Sequence, residues 1–282
     1  MVQLENVRKD YETFRFDVTL KILEGRITGL VGKNGAGKST AIKLILGLTK
    51  RDGGTIRILD RDVEDMTPKE KQDLGVALAE AGFSSQLMIT DILKILEKLY
   101  DSFERDFFVE KCRELQLPMK KRIGEFSTGM RAMLKTLIAI THQAKLLILD
   151  EPTAGLDVDA RNRVQDMLRS YMAEDSSRSI LITSHIASDL ERLCDDIYLI
   201  HDGKILLHED IDNLLENYGV LKLDETQYEQ LDKESVLQSR KESYGYACLV
   251  KDKQFYRENY PKIVIENGGI DELILMMTGG YR

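Results

Sequence analysis

The chain has 282 residues, 43% hydrophobic and 31% charged, the balance of an ordinary soluble globular protein with room for one large or two modest domains. Its net charge of −8 gives no general pull toward nucleic acid, and no apolar run approaches the roughly 20 residues that cross a bilayer. Cys112, Cys194 and Cys248 are odd in number and scattered, with no Cys-x-x-Cys pair, which argues against a disulfide framework and a structural zinc site. The N-terminus lacks the basic and then apolar blocks of a signal peptide, so the chain is expected to stay in the cytoplasm. Lys120-Lys121-Arg122 is a charge run of solvated-surface type.

In chain order, Phe14-Arg15-Phe16-Asp17-Val18-Thr19-Leu20 alternates as a half-exposed antiparallel strand does, which makes Phe14 and Phe16 core candidates. Ile27 to Val31 is apolar throughout and runs into Gly32. Ala41 to Leu48 has helical spacing with Gly47 near its end, Arg51-Asp52-Gly53-Gly54 reads as a turn, and Thr55 to Leu59 as a short strand. Leu74 to Leu78 is a further strand. From Thr90 to about Leu117 the pattern predicts helix, with Ile92, Leu93, Leu96, Leu99 and Tyr100 on one face. A second helix is predicted from about Met130 to His142. Leu146 to Leu149, Ile180 to Thr183 and Ile197 to Ile200 read as buried strands, with a helix starting near Ala187. Beyond about Asn217 short strands (Val220–Leu223, Ala247–Val250, Ile263–Ile265) alternate with charge-rich helical pieces. The division expected is residues 1–216 for the main domain and 217–282 for a small α/β appendage.

Two motifs carry chemistry. In Gly32-Lys33-Asn34-Gly35-Ala36-Gly37-Lys38-Ser39-Thr40, glycines stand where backbone must approach phosphate oxygens, between a strand and a helix. Amides from about Asn34 to Thr40, including those of Gly35, Ala36 and Gly37, would point inward at a helix N-terminus. Lys38 would reach the β- and γ-phosphates, and the Ser39 hydroxyl would ligate Mg²⁺. Downstream, Asp150 closes an apolar strand and Glu151 follows. Successive strand residues point to opposite sides, so the carboxylates have separate duties unless the chain bends there. Asp150 suits the magnesium shell, and Glu151 suits orienting or deprotonating an attacking water.

With these in place, Phe126-Ser127-Thr128-Gly129-Met130 resembles the signature motif of ABC-type ATPases, usually Leu-Ser-Gly-Gly-Gln. Gly155-Leu156-Asp157 looks like the D-loop of that family and Thr183-Ser184-His185 like its switch histidine. In order, the motifs span residues 1 to about 210. The resemblance implies a P-loop NTPase fold of ABC type, α/β: a mixed-sheet core with an antiparallel β subdomain and a helical subdomain. It implies a head-to-tail dimer holding two ATP molecules. Each would lie between one subunit's phosphate loop and the other's Ser127 and Gly129 amide, with Asp157 nearby. His185 would touch the γ-phosphate and hold the water-Glu151 geometry, and Tyr11 would stack on adenine. For Ser127, a cap on the helix beginning near Met130 is a further role.

Two motifs depart from the family. The glutamine that contacts Mg²⁺ and the membrane partner aligns with Ala79, and either Glu80 or Gln86 would replace it. Thr128 and Met130 replace Gly and Gln in the signature. The role implied is the ATP-binding and ATP-hydrolysing subunit of a membrane transporter whose spanning permease subunits are separate chains. It would be peripheral on the inner face of the cell membrane, pairing with a second copy or a related chain. The appendage, the signature and the run Glu272 to Gly280 look most like bacterial exporters with one ATPase domain per chain. The alternative is a soluble ABC-type ATPase acting on ribosomes or DNA, but it lacks the second ATPase domain or the coiled coils such proteins carry. A P-loop kinase or GTPase is disfavoured, since no Asn-Lys-x-Asp motif is present.

Overall fold

The computed structural model describes residues 1–79 and 82–279. Three sheets organise it. The first is antiparallel, from β1 (Val2–Asp10), β2 (Arg15–Ile22), β4 (Gly53–Ile58) and β5 (Arg61–Asp62) in the order β2-β1-β4-β5. Its period-2 pattern buries Phe16, Val18, Leu20 and Ile22 on one face and leaves the other wet. Gly53 and Gly54 belong to β4 rather than to the preceding turn. Gly54, at φ 80°, lies where the β1–β4 register shifts, and a bulge explains both the glycine and the misread boundary.

The central sheet holds β3 (Ile27–Val31), β6 (Leu74–Ala77), β7 (Leu146–Asp150), β8 (Ser179–Ser184), β9 (Asp196–His201) and β10 (Lys204–Asp210) in the order β10-β9-β3-β8-β7-β6. Five strands are parallel, and β10 is an antiparallel edge. β3 and β8 are buried at every position, as strands covered on both faces must be. One core lies between this sheet, α1 (Lys38–Ile45) and the first sheet, around Phe16, Leu30, Ile42, Ile148 and Ile200.

Between β6 and β7 stand α2 (Ile89–Leu99), α3 (Arg105–Glu114) and α4 (Thr128–Ile140), the helical insertion that the pattern predicted. It is not one long helix from Thr90 to Leu117. The chain leaves helical geometry at Tyr100, where polar Asp101 and Ser102 follow. The end of α4 captures the break: Ser102 Oγ donates to the His142 carbonyl (2.6 Å) and the Glu104 amide to the Thr141 carbonyl (2.9 Å). Ile92, Leu93 and Leu96 face the core, whereas Leu99 is 55% exposed and Tyr100 turns to stack on His142, ring centres 3.9 Å apart.

Then follow α5 (Val158–Glu174), α6 (Ala187–Leu193), α7 (Ile211–Asn217), β11 (Gly219–Leu223), α8 (Glu225–Glu229), β12 (Val236–Glu242), β13 (Gly245–Val250), α9 (Lys253–Asn259), β14 (Val264–Asn267) and α10 (Ile270–Met277). The third sheet is antiparallel, β12-β13-β11-β14. Its β12 escaped the sequence pattern because none of its positions is fully buried. Val220, Ala247 and Leu249 join the large core together with Leu273 and Met276 of α10, and Leu221, Cys248 and Val250 point into a small core of their own.

Candidate functional site

The phosphate loop runs from β3 into α1. Gly32 is forced by a close approach, since a Cβ there would lie 2.3 Å from the Ile200 carbonyl oxygen. Gly37, which caps α1, sits at φ 117°, a conformation closed to side-chain-bearing residues. Ala36 is buried, its amide donating to the Lys33 carbonyl (3.1 Å). Lys38 Nζ folds back onto its own loop, donating to the carbonyls of Gly32 (2.8 Å) and Lys33 (3.4 Å), and lies 4.0 Å from Glu151 Oε1. Burial pushes the Lys38 ammonium below the ordinary lysine range, against the opposing pull of Glu151 and Asp150. The appended segment meets this loop: Lys33 Nζ donates to the carbonyls of Thr278 (3.4 Å) and Gly279 (3.3 Å) after α10.

Asp150 and Glu151 end β7, beside β8. Strand alternation would send them to opposite sides, but the chain bends: Glu151 takes φ 50°. A left-handed non-glycine costs about 1–2 kcal/mol. Thr183 on β8 holds it. The Glu151 amide donates to the Thr183 carbonyl (3.1 Å) and to Thr183 Oγ1 (3.1 Å), and that hydroxyl donates to Asp150 Oδ1 (2.7 Å). Both carboxylates therefore line one cavity of about 530 Å³, together with Asn34, Gly35, Gly37, Lys38, Ser39 and Thr40. His185, just past β8, places Nδ1 2.6 Å from Glu151 Oε2, and its amide donates to the same oxygen (3.2 Å). Glu151 thus stands between an ammonium and an imidazole.

Other expected residues lie off this cavity. Ser127 caps α4, its Oγ accepting from the Met130 amide (3.1 Å), and Asp157 caps α5, accepting from the Ala160 amide (2.8 Å). Gly129 lies where α4 meets α5: a Cβ there would come within 2.9 Å of the Ala160 methyl. None of the three lines the cavity, and neither does Gln86; Glu80 lies outside the described residues. Tyr11 is exposed and leans on Phe14, ring centres 6.1 Å apart. Phe14 packs on the core, as expected, and lines the cavity as well. Sequence reasoning also missed the Thr183 hydroxyl, whose signal was a polar residue directly after the apolar run Ile180 to Ile182, paired with Asp150.

A parallel sheet with a glycine loop and helix after one strand, and a carboxylate pair at the end of another, defines a phosphate-loop nucleotide-binding fold. The comparisons specify it. Residues 16–154 match the family model described as ABC transporter. The chain is 30% identical over its whole length to the ABC transporter ATP-binding protein YtrB of Bacillus subtilis (strain 168), covering 99% of that protein. It is 32% identical to the bacitracin transport ATP-binding protein BcrA of Enterococcus faecalis, over 76% of this chain and 70% of that one. A solved structure described as the ATP binding subunit of an ABC transporter superposes with TM-score 0.68 at 25% identity, over 76% of this chain and 91% of the other. The chain belongs to the ATP-binding proteins of ABC transporters.

Proposed function

We propose that this chain hydrolyses ATP to drive a membrane transporter, an exporter, whose spanning permease subunits are separate chains at whose inner face it docks. The observation that carries the reading is the convergence of Lys38, Asp150, Glu151 and His185 around the phosphate loop. Among the described residues no helix is long and apolar enough to cross a membrane, which fits a division of labour with permeases. A relative named for bacitracin transport supports the transport role, and a relative matched end to end shares the appended segment beyond residue 217, which we take as a second domain.

The loop amides and Lys38 receive the β- and γ-phosphates, Lys38 exchanging its carbonyl partners for phosphate oxygens. Glu151 accepts the proton of the attacking water, while His185 holds its Oε2 so that Oε1 faces the cavity. Ser39 and Asp150 both line the cavity with oxygen donors that suit Mg²⁺. Among the described residues no group of three His, Cys, Asp or Glu could hold a metal ion, and Ser39 and Asp150 are the donors that would hold this one. When bound, it neutralises charge on the transferred phosphate.

Ser127, Gly129 and Asp157 stand at the starts of α4 and α5, outside this chain's own cavity, and we assign them to ATP held by a second subunit in a head-to-tail dimer. The test is complementation. Ser127→Arg and Lys38→Ala chains, each inactive alone, form on mixing one heterodimer with a single intact composite site. Random pairing then gives about a quarter of wild-type activity. A mixture no more active than its parents refutes sharing.

A further inference from the structure

We propose that Lys135 is a positioning residue for ATP turnover: from the middle of α4 it holds the chain leaving β6, so that one wall of the nucleotide cavity is tied to the helix that begins at Ser127. The inference rests on the ATPase reading above. Lys135 Nζ donates to two successive carbonyl oxygens, those of Leu78 and Ala79, each at 3.0 Å. Leu78 and Ala79 are also wall residues of the 530 Å³ cavity, beside Asp150 and Glu151. On their other side lies a second cavity of about 250 Å³, lined by Thr128, Arg131, Lys135 and Pro152. The two residues are therefore a partition between two spaces; Leu78 keeps partial packing on the core, whereas Ala79 is exposed. β6 adds no support from its far side, because it is the edge of its sheet and pairs with β7 alone. What holds the partition is a charge-assisted pair of hydrogen bonds from α4.

One consequence follows from that geometry. Lys135 lies two turns along α4 from the capping Ser127. A shift of α4 is therefore transmitted to the wall beside the two carboxylates. Lys135 is partly withdrawn from water, and burial, with Arg131 nearby, lowers its ammonium below the ordinary lysine range. Lys135 does not line the nucleotide cavity, so its effect belongs to turnover rather than to ATP capture.

The experiment measures steady-state ATP hydrolysis, ATP affinity without Mg²⁺, and amide exchange over 74–79 for the full chain as wild type, Lys135→Met, Lys135→Gln, Lys135→Arg and Lys38→Ala. Lys135→Met is expected to lower kcat about tenfold, with ATP affinity within about twofold and faster exchange at the end of β6. Lys135→Gln, a donor without charge, should fall between, and Lys135→Arg should keep at least about half of kcat. Hydrolysis by Lys135→Met within twofold of wild type overturns the proposal. So does parallel loss of kcat and affinity with no rescue by arginine, which marks a merely structural lysine. Wild type no faster than Lys38→Ala is a separate result: it refutes the ATPase reading and this inference with it.

Discussion

Replacing Thr183 by valine keeps the shape of a fully buried side chain and deletes the hydroxyl that links the Glu151 amide to the Asp150 carboxylate. A hydrogen bond to a charged group contributes about 1.5–3 kcal/mol. The lower end applies, because Asp150 is only partly buried, so water replaces some of the loss, and the Glu151 amide keeps its bond to the Thr183 carbonyl. We expect about 1.5 kcal/mol of destabilisation, or about 3–6 °C in melting midpoint for a chain of this size. Urea unfolding should show a lower midpoint at unchanged slope. The turn at Glu151, whose φ of 50° is itself unfavourable, loses one of its restraints. ATP hydrolysis should accordingly fall about tenfold, with ATP affinity changed less than about threefold. A midpoint within 1 °C of wild type and an unchanged kcat would refute the claim that this hydroxyl holds the carboxylate pair.

Lys38→Ala should abolish ATP binding, read by equilibrium dialysis; normal affinity would contradict the placement of phosphate on this loop. In the free protein Lys38 titrates below the ordinary lysine range, burial outweighing Glu151 and Asp150, and bound phosphate favours the ammonium. Between the free and bound pKa values, binding therefore takes up a proton, and ATP affinity falls as pH rises through the free value. Calorimetry in buffers of different ionisation heat, repeated at rising pH, should detect that uptake as the pH passes through the free value.

Much of this was legible in the chain because parallel strands and glycine loops leave local signatures. β3, β7, β8 and β9 are short apolar runs, and the loop from Gly32 to Thr40 stands between a strand and a helix. What stayed hidden depends on distant contacts. The break between α2 and α3 is made by carbonyls at the end of α4, more than thirty residues away, and no local propensity encodes it. The bend at Glu151 is held by β8, so alternation alone sent the two carboxylates apart. Phe14 and Phe16 share a phase and both reach the core, but the pattern did not show that Phe14, unlike the fully buried Phe16, also lines the cavity. Lys135 gave no signal, since a lysine on a helix is ordinarily a solvated one.

The central claim is that one chain holds an incomplete ATP site, closed by a second subunit when ATP binds. Glu151→Gln tests it most directly. The substitution keeps the size of the side chain between Lys38 and His185 but removes its charge, and with it the ability to take a proton from water. Size-exclusion chromatography with light scattering in the presence of ATP and Mg²⁺ should show a stable species of twice the monomer mass, with ATP retained and hydrolysis at least about a hundredfold slower. A variant that remains monomeric with ATP bound, or that hydrolyses ATP at the wild-type rate, would contradict the account.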